Sequence, residues 1–271
     1  MLLALIATAS AAEFTMNASV AASYWPLGLR FETAPGVKIP LWNQEDSVLF
    51  GDTSLKLECL CQATPAYARV GPKVTFSPIA ILDLSAHYTV SPYFGTFTSF
   101  IGFDDPDTAW TPEVMDAKVE DGNRGTGLAT RWGTSATLKA KVGPIIVAAN
   151  GELRGWELST ADNVVGGYLY EPETDLLLAR SDTTRHTTAV LLYERELSAD
   201  KAMRVGAMNS TTASMEAGGR MHRLGPMATL STADGTWSYL LLVQAQLEHR
   251  VEVEEGKVFP PYVALRAKWQ K

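Results

Sequence analysis

Read in steps of two from Trp237, one face of the chain carries Trp237, Tyr239, Leu241, Val243, Ala245 and Leu247, while the other ends in Gln244, Gln246, Glu248 and Arg250. Strict alternation of this kind marks a strand with one apolar and one wet side. After a charged connector, 251–257, the pattern returns, with Pro261, Val263, Leu265, Ala267 and Trp269 set against Tyr262, Arg266, Lys268 and Gln270. The two runs predict an antiparallel hairpin.

The same rule organises the rest of the chain. Segment 55–61 alternates Leu55, Leu57, Cys59 and Cys61 with Lys56 and Glu58. Segment 66–76 sets Ala68, Val70, Val74 and Phe76 against Arg69, Lys73 and Thr75, and 79–90 sets Ala80, Leu82, Leu84, Ala86, Tyr88 and Val90 against Asp83, Ser85, His87 and Thr89. A clear hairpin runs through 128–142, a Gly143-Pro144 turn and 145–158; further strands are predicted at 189–197, 202–210 and 219–230. The first strand, 14–24 or onward to 34, is interrupted by Trp25-Pro26-Leu27-Gly28. Pro35-Gly36, 43–46, Ser77-Pro78 and Ser91-Pro92 read as turns or loops.

Two connections are long. Segment 104–127 holds Asp104, Asp105, Asp107, Glu113, Asp116, Glu120 and Asp121, with a short helix predicted where Thr111 can cap and Pro112 can take the first position. Segment 159–188 carries a small hairpin of its own at 168–178, around Pro172-Glu173-Thr174. Short turns alternating with long loops, about twelve strands (ten or fourteen on other segmentations), and aromatics near strand ends predict an all-β, closed antiparallel transmembrane barrel. The aromatics assigned to the two interfaces are Tyr93, Phe94, Phe103, Trp132, Trp156, Tyr168, Tyr170, Trp237, Tyr239, Phe259 and Trp269.

Composition is neutral on this point. The chain has 271 residues, 46% of them hydrophobic, and a mean hydropathy of −0.01. Barrel strands escape a hydropathy window because every second residue is polar. A net charge of −7 without a dense basic run argues against a nucleic-acid partner. Residues 1–12 read as an export signal, apolar from Leu2 to Ile6 and then small, with a cleavage site at Ala9-Ser10-Ala11 or one residue later, which leaves 13–271 as a single barrel domain. Cys59 and Cys61, two apart on one strand face, would sit about 6.6 Å apart with parallel side chains, a geometry that disfavours a disulfide.

Alternation alone does not say which face is inside, since a soluble barrel binding an apolar ligand would alternate as well. Charge does. The polar faces carry the bases Lys56, Arg69, Lys73, Arg131, Lys139, Lys141, Arg154, Arg204, Arg223, Arg250, Arg266 and Lys268 and the acids Glu58, Asp83, Glu152, Glu194, Glu196 and Glu248. Twelve bases against six acids, in a chain of net −7, concentrate the acids in the connections. With His87, Gln244 and Gln246, and without Arg250, these residues are the predicted lining of an anion-biased lumen. Arg195 is the main charge left on an apolar face. A one-residue slip in register would exchange the two faces.

Val70-Gly71-Pro72, Phe76-Ser77-Pro78-Ile79-Ala80, Tyr93-Phe94-Gly95, Arg223-Leu224-Gly225-Pro226 and the closing segment 244–249 resemble the uncharacterised outer-membrane β-barrels of Gram-negative bacteria, the myxobacterial type in particular. The resemblance implies a porin-like protein of the bacterial outer membrane, in contact with its lipid and lipopolysaccharide and assembled by the barrel-assembly machinery. Such families often finish on an aromatic residue, whereas here Trp269 is followed by Gln270 and Lys271.

Catalytic chemistry is not evident. His87 lies four residues from Asp83, about 13 Å along a strand. His186 precedes Thr187-Thr188, and His222 and His249 adjoin arginines. There is no His-x-Ser, Gly-x-Ser-x-Gly, His-Glu-x-x-His or phosphate loop. Hydrogen-bonded or solvated histidine is the plainer reading of each. No cofactor or metal is expected, and the acidic loop reads as solvated. The favoured expectation is a non-enzymatic barrel, a narrow passive channel; the alternatives are a lipid-acting barrel enzyme using His87 and a soluble exported barrel.

Overall fold

The structure, a computed structural model, describes residues 12–42, 53–97, 99–232, 234–248 and 260–271. In chain order the elements are β1 (Glu13–Tyr24), β2 (Gly28–Trp42), β3 (Thr53–Ala63), β4 (Ala68–Ile79), β5 (Leu82–Tyr93), β6 (Gly102–Phe103), α1 (Pro112–Glu120), β7 (Gly127–Val142), β8 (Ile145–Thr160), β9 (Tyr168–Glu171), β10 (Leu176–Ala179), β11 (Ser181–Ser198), β12 (Lys201–Ser214), β13 (Arg220–Thr232), β14 (Trp237–Glu248) and β15 (Tyr262–Gln270). Twelve of the strands close into one antiparallel barrel, and β6, β9 and β10 form a separate sheet in the order β10-β9-β6. The ring is sealed where β1 pairs with β15, Val20 opposite Ala267. The first eleven residues, 43–46 and His249, Arg250 and Phe259 lie outside the described residues.

Alternation decides which face is where. Leu241 is 44% and Leu265 56% exposed on the outside, whereas Gln244 is 1% and Arg69 3% exposed within. Val20, Val37, Leu57, Val74, Leu84, Tyr88, Trp132, Val147, Leu191 and Val205 share the outer face. So large an exposed apolar belt around a polar interior is the inverse of a soluble barrel and fits hydrocarbon. Cys59 and Cys61 face outward too, without a disulfide, one thiol donating to the other across 3.9 Å.

The strands at 55–61, 128–142 and 237–248 stand close to where alternation put them. Prolines misled at three places: Pro35-Gly36, Ser77-Pro78 and Ser91-Pro92 all lie inside strands. A register shift between Phe76 and Ile79 accommodates Pro78, as a bulge does for a residue that cannot donate. Gly36 sits where an added Cβ would come within 2.5 Å of the Leu57 carbonyl oxygen, so it serves close strand approach rather than a turn. The interrupted first segment is in fact two strands, joined by Trp25–Leu27.

One rim carries the short connections at 80–81, 143–144 and 199–200, with Gly143 at φ +57°, a conformation glycine adopts without strain. The other rim carries the long ones, 94–126 and 161–180. While Asp104, Asp105, Asp107, Glu113, Asp116, Glu120 and Asp121 stay exposed, these two turn much of their apolar surface inward. They fold together as β6, α1, β9 and β10 and form a plug in the mouth. Backbone bonds from Phe100 N to Tyr170 O (3.3 Å) and from Tyr170 N to Ile101 O (3.0 Å) join them. Thr111 caps α1 as expected, its Oγ1 accepting from Val114 N at 3.3 Å.

The dry core lies where the plug meets the wall. Phe100, Ile101, Phe103, Leu169, Tyr170, Leu176, Leu177 and Leu178 pack on Ala66, Tyr67, Tyr93, Ala129, Trp156 and Leu158, and Tyr93 stacks on Phe100 at 4.1 Å. This corrects the aromatic assignment. Tyr93, Phe103, Trp156 and Tyr170 are buried in the core, while Phe94, Trp132, Trp237 and Tyr239 are exposed.

Candidate functional site

The tip of the β9–β10 hairpin reads Glu171-Pro172-Glu173-Thr174-Asp175, and each of its three acids is held. Glu173 takes Arg69 of β4 at 2.6 Å, Arg131 of β7 at 3.0 Å and Arg154 of β8 at 3.7 Å. Asp175 pairs with Arg223 of β13 at 3.0 Å and accepts from Tyr170 Oη at 2.9 Å. Glu171 accepts from Tyr93 Oη at 2.8 Å and Thr174 N at 2.7 Å. Partners on five wall strands, β4, β5, β7, β8 and β13, place the tip inside the lumen. Asp175 has φ +55°, a conformation that an aspartate adopts more readily than most residues.

Burial would raise the Glu173 carboxyl, but Arg131, Arg69 and Arg154 outweigh it and hold the group well below the usual carboxylate range. Glu171 goes the other way, pushed up by burial and then by the charge on Glu173. The guanidinium groups thus favour the ionised form of Glu173, while burial disfavours that of Glu171.

Beneath this tip lies a cavity of about 410 Å³. Of the residues expected to line the lumen, Arg69, Lys73, Asp83, His87, Arg131, Glu152 and Arg154 line it. Glu58, Arg266 and Lys268 line a smaller cavity of about 140 Å³ that shares Glu32, Leu60 and Lys73 with the first. Lys56 pairs with Glu58 at 2.7 Å, and Arg266 reaches Ser19 Oγ at 3.2 Å. Towards the short-turn rim Lys139 pairs with Asp83 at 2.8 Å, while Lys141 and Arg204 both pair with Glu194. Glu196 is exposed there.

Gln244 donates to Met208 O at 3.1 Å and Gln246 to Pro260 O at 3.3 Å. Glu248 stands apart: a register shift between His222 and Arg223 sets it opposite His222, and it pairs with the half-exposed Arg220 at 3.2 Å, away from both cavities. On the β11–β14 side the interior is partly apolar, with Leu192 and Leu242 buried. The open polar space is displaced towards β2–β8 accordingly.

The histidines are dispersed. The His87 ring lies over Gly133, where a Cβ would come within 2.3 Å of it. His186 bonds Thr212 at 2.8 Å and Thr188 at 3.0 Å, and His222 bonds Asn209 at 2.9 Å. Among the described residues no cluster of three metal-ligating side chains occurs.

Residue reasoning had missed Glu173, Asp175, Arg30 and Glu32. The first two lay in a predicted external hairpin, and the last two on a strand that alternation did not resolve. A usable signal was present: Leu176-Leu177-Leu178 is apolar on both faces, which does not suit an exposed hairpin.

No family model matches the chain, and no curated protein does. Among solved structures it is similar to the β domain of the Bordetella autotransporter BrkA (10% identity, 97% of this chain and 100% of that chain, TM-score 0.48). It is also similar to the translocator domain of the autotransporter NalP from Neisseria meningitidis (10% identity, 96% and 86%, TM-score 0.38). A third is a loop-deletion mutant of OmpT, an outer membrane protein of Vibrio cholerae (7% identity, 96% and 99%, TM-score 0.38). Likeness at this level carries no functional inference. The closed ring with its apolar exterior is, on its own geometry, a β-barrel of the outer-membrane type.

Proposed function

We propose that this protein is a non-enzymatic passage for small anions across the bacterial outer membrane, held shut at its outer mouth by the plug. One observation carries the reading: three lumen arginines converge on a single plug carboxylate above a polar cavity. Such an arrangement concentrates positive potential in a confined, low-dielectric space, which favours anions over cations. The long-loop rim faces outward and the short-turn rim the periplasm, following the usual asymmetry of such barrels. The apolar belt then meets lipid and lipopolysaccharide, and the barrel-assembly machinery inserts the chain after removal of an export signal.

Planar-bilayer recording tests this. Reconstituted protein is expected to show small, infrequent openings, with a reversal potential in a KCl gradient that favours chloride. Silence at all voltages in both wild type and a Glu173→Gln variant, or cation selectivity, refutes it.

A further inference from the structure

Three guanidinium groups around one carboxylate have donors to spare. The cavity is lined by the bases Arg30, Arg69, Lys73, Arg131 and Arg154 and the acids Glu32, Asp83, Glu152 and Glu173, five against four. Glu152 is already engaged by Arg154 at 2.7 Å. Two more of the acids are engaged by bases outside this lining, Glu32 by Arg266 at 3.7 Å and Asp83 by Lys139 at 2.8 Å. Arg69 and Arg131 are 3% and 6% exposed, yet Arg69 Nη2, Arg131 Nε and Arg154 Nε meet no acceptor among the described residues.

Buried, unpaired N–H groups on charged side chains are costly and rare in folded proteins. Here they belong to three residues that line the same space, and that space is within the usual size range of small-ligand sites. Glu173 does not satisfy them all. Its hairpin is anchored by the sheet above, with Leu176, Leu177 and Leu178 fully buried.

We propose that this pocket binds a small oxyanion, a carboxylate or phosphate on a compact polar body, and that Glu173 is the resident stand-in which the anion displaces. The inference rests on the cavity invoked above, but it concerns binding and not passage. Guanidinium groups suit it because their planar fork matches two oxygens of either anion.

The test is calorimetric titration of the refolded full-length chain in detergent with inorganic phosphate and, separately, with succinate. Glu173→Gln keeps the shape of the tip and removes the competing charge. It is expected to bind at least one of the two about tenfold more tightly than wild type, since the ligand no longer has to displace a tethered rival. Adding Arg131→Gln is expected to erase that gain. A gain for phosphate alone or for succinate alone assigns the ligand class, and a gain for both shows that charge is what is read.

No gain in Glu173→Gln, or a gain that survives Arg131→Gln, overturns the proposal. If Glu173→Gln fails to give the heat-dependent gel shift of a closed barrel, wild type decides. Saturable binding in which phosphate and succinate compete supports the pocket, and absence of any saturable heat overturns it. Binding without conductance keeps the pocket and removes the passage; conductance without binding does the reverse.

Discussion

Glu173 shows how one side chain sets the behaviour of a site. Its carboxyl lies below the ordinary range in the folded protein, against about 4.3 for an unfolded glutamate. A depressed acid contributes stability that is fully present above the unfolded value and is lost only as pH falls through the folded one. The plug should therefore stay in place on mild acidification. Single-channel activity is expected to be unchanged between pH 7 and pH 5, and an opening transition centred near pH 6 would contradict the assignment. Glycines give a second prediction at this scale. A Cβ at Gly71 would lie 2.0 Å from Tyr88 O, and one at Gly225 2.0 Å from Val243 O. Backbone cannot yield as a flexible side chain can, so Gly71→Ala is expected to cost about 1–3 kcal/mol and lower the yield of heat-modifiable barrel. Gly71-Pro72 and Gly225-Pro226 thus mark tight strand approach, whereas Gly143-Pro144 marks a turn.

At the level of elements, alternation made most wall strands and the β9–β10 hairpin legible, because a period of two is written locally; it left β2 unresolved and placed 181–188, the start of β11, in a connection. The destination of that hairpin was not legible. It depends on Arg69, Arg131, Arg154 and Arg223, which come together only after four separate strands have closed a ring. The same limit misplaced the aromatics, since a Trp at a strand end reads alike whether it faces lipid, as Trp132 does, or a plug, as Trp156 does. Likewise Glu248 was displaced by a single bulge, which reverses parity beyond it. The wall's ladder makes its own hydrogen bonds, so replacing 163–179 with a short Gly-Ser linker is expected to leave a closed barrel and to raise unitary conductance severalfold. A deletion variant with wild-type conductance would mean that the plug does not limit flow.

For the whole molecule, the topology itself is open to test. An epitope inserted at Asp162 should be reached by antibody on intact cells, whereas one following Lys271 should need permeabilisation. The reverse pattern would invert the barrel. The plug is also attached unevenly. Its apolar contacts run along Ala66, Tyr67, Tyr93, Ala129, Trp156 and Leu158, all on the β3–β8 arc, whereas the opposite arc offers Met221 and the Asp175–Arg223 pair. Among the described residues the plug is thus greased to one jamb and bolted to the other through Asp175 and Arg223, the arrangement of a door. Arg223→Gln should free only the bolted edge and produce a partial, flickering conductance level, and the direction of swing is already set by where the side chains are oily.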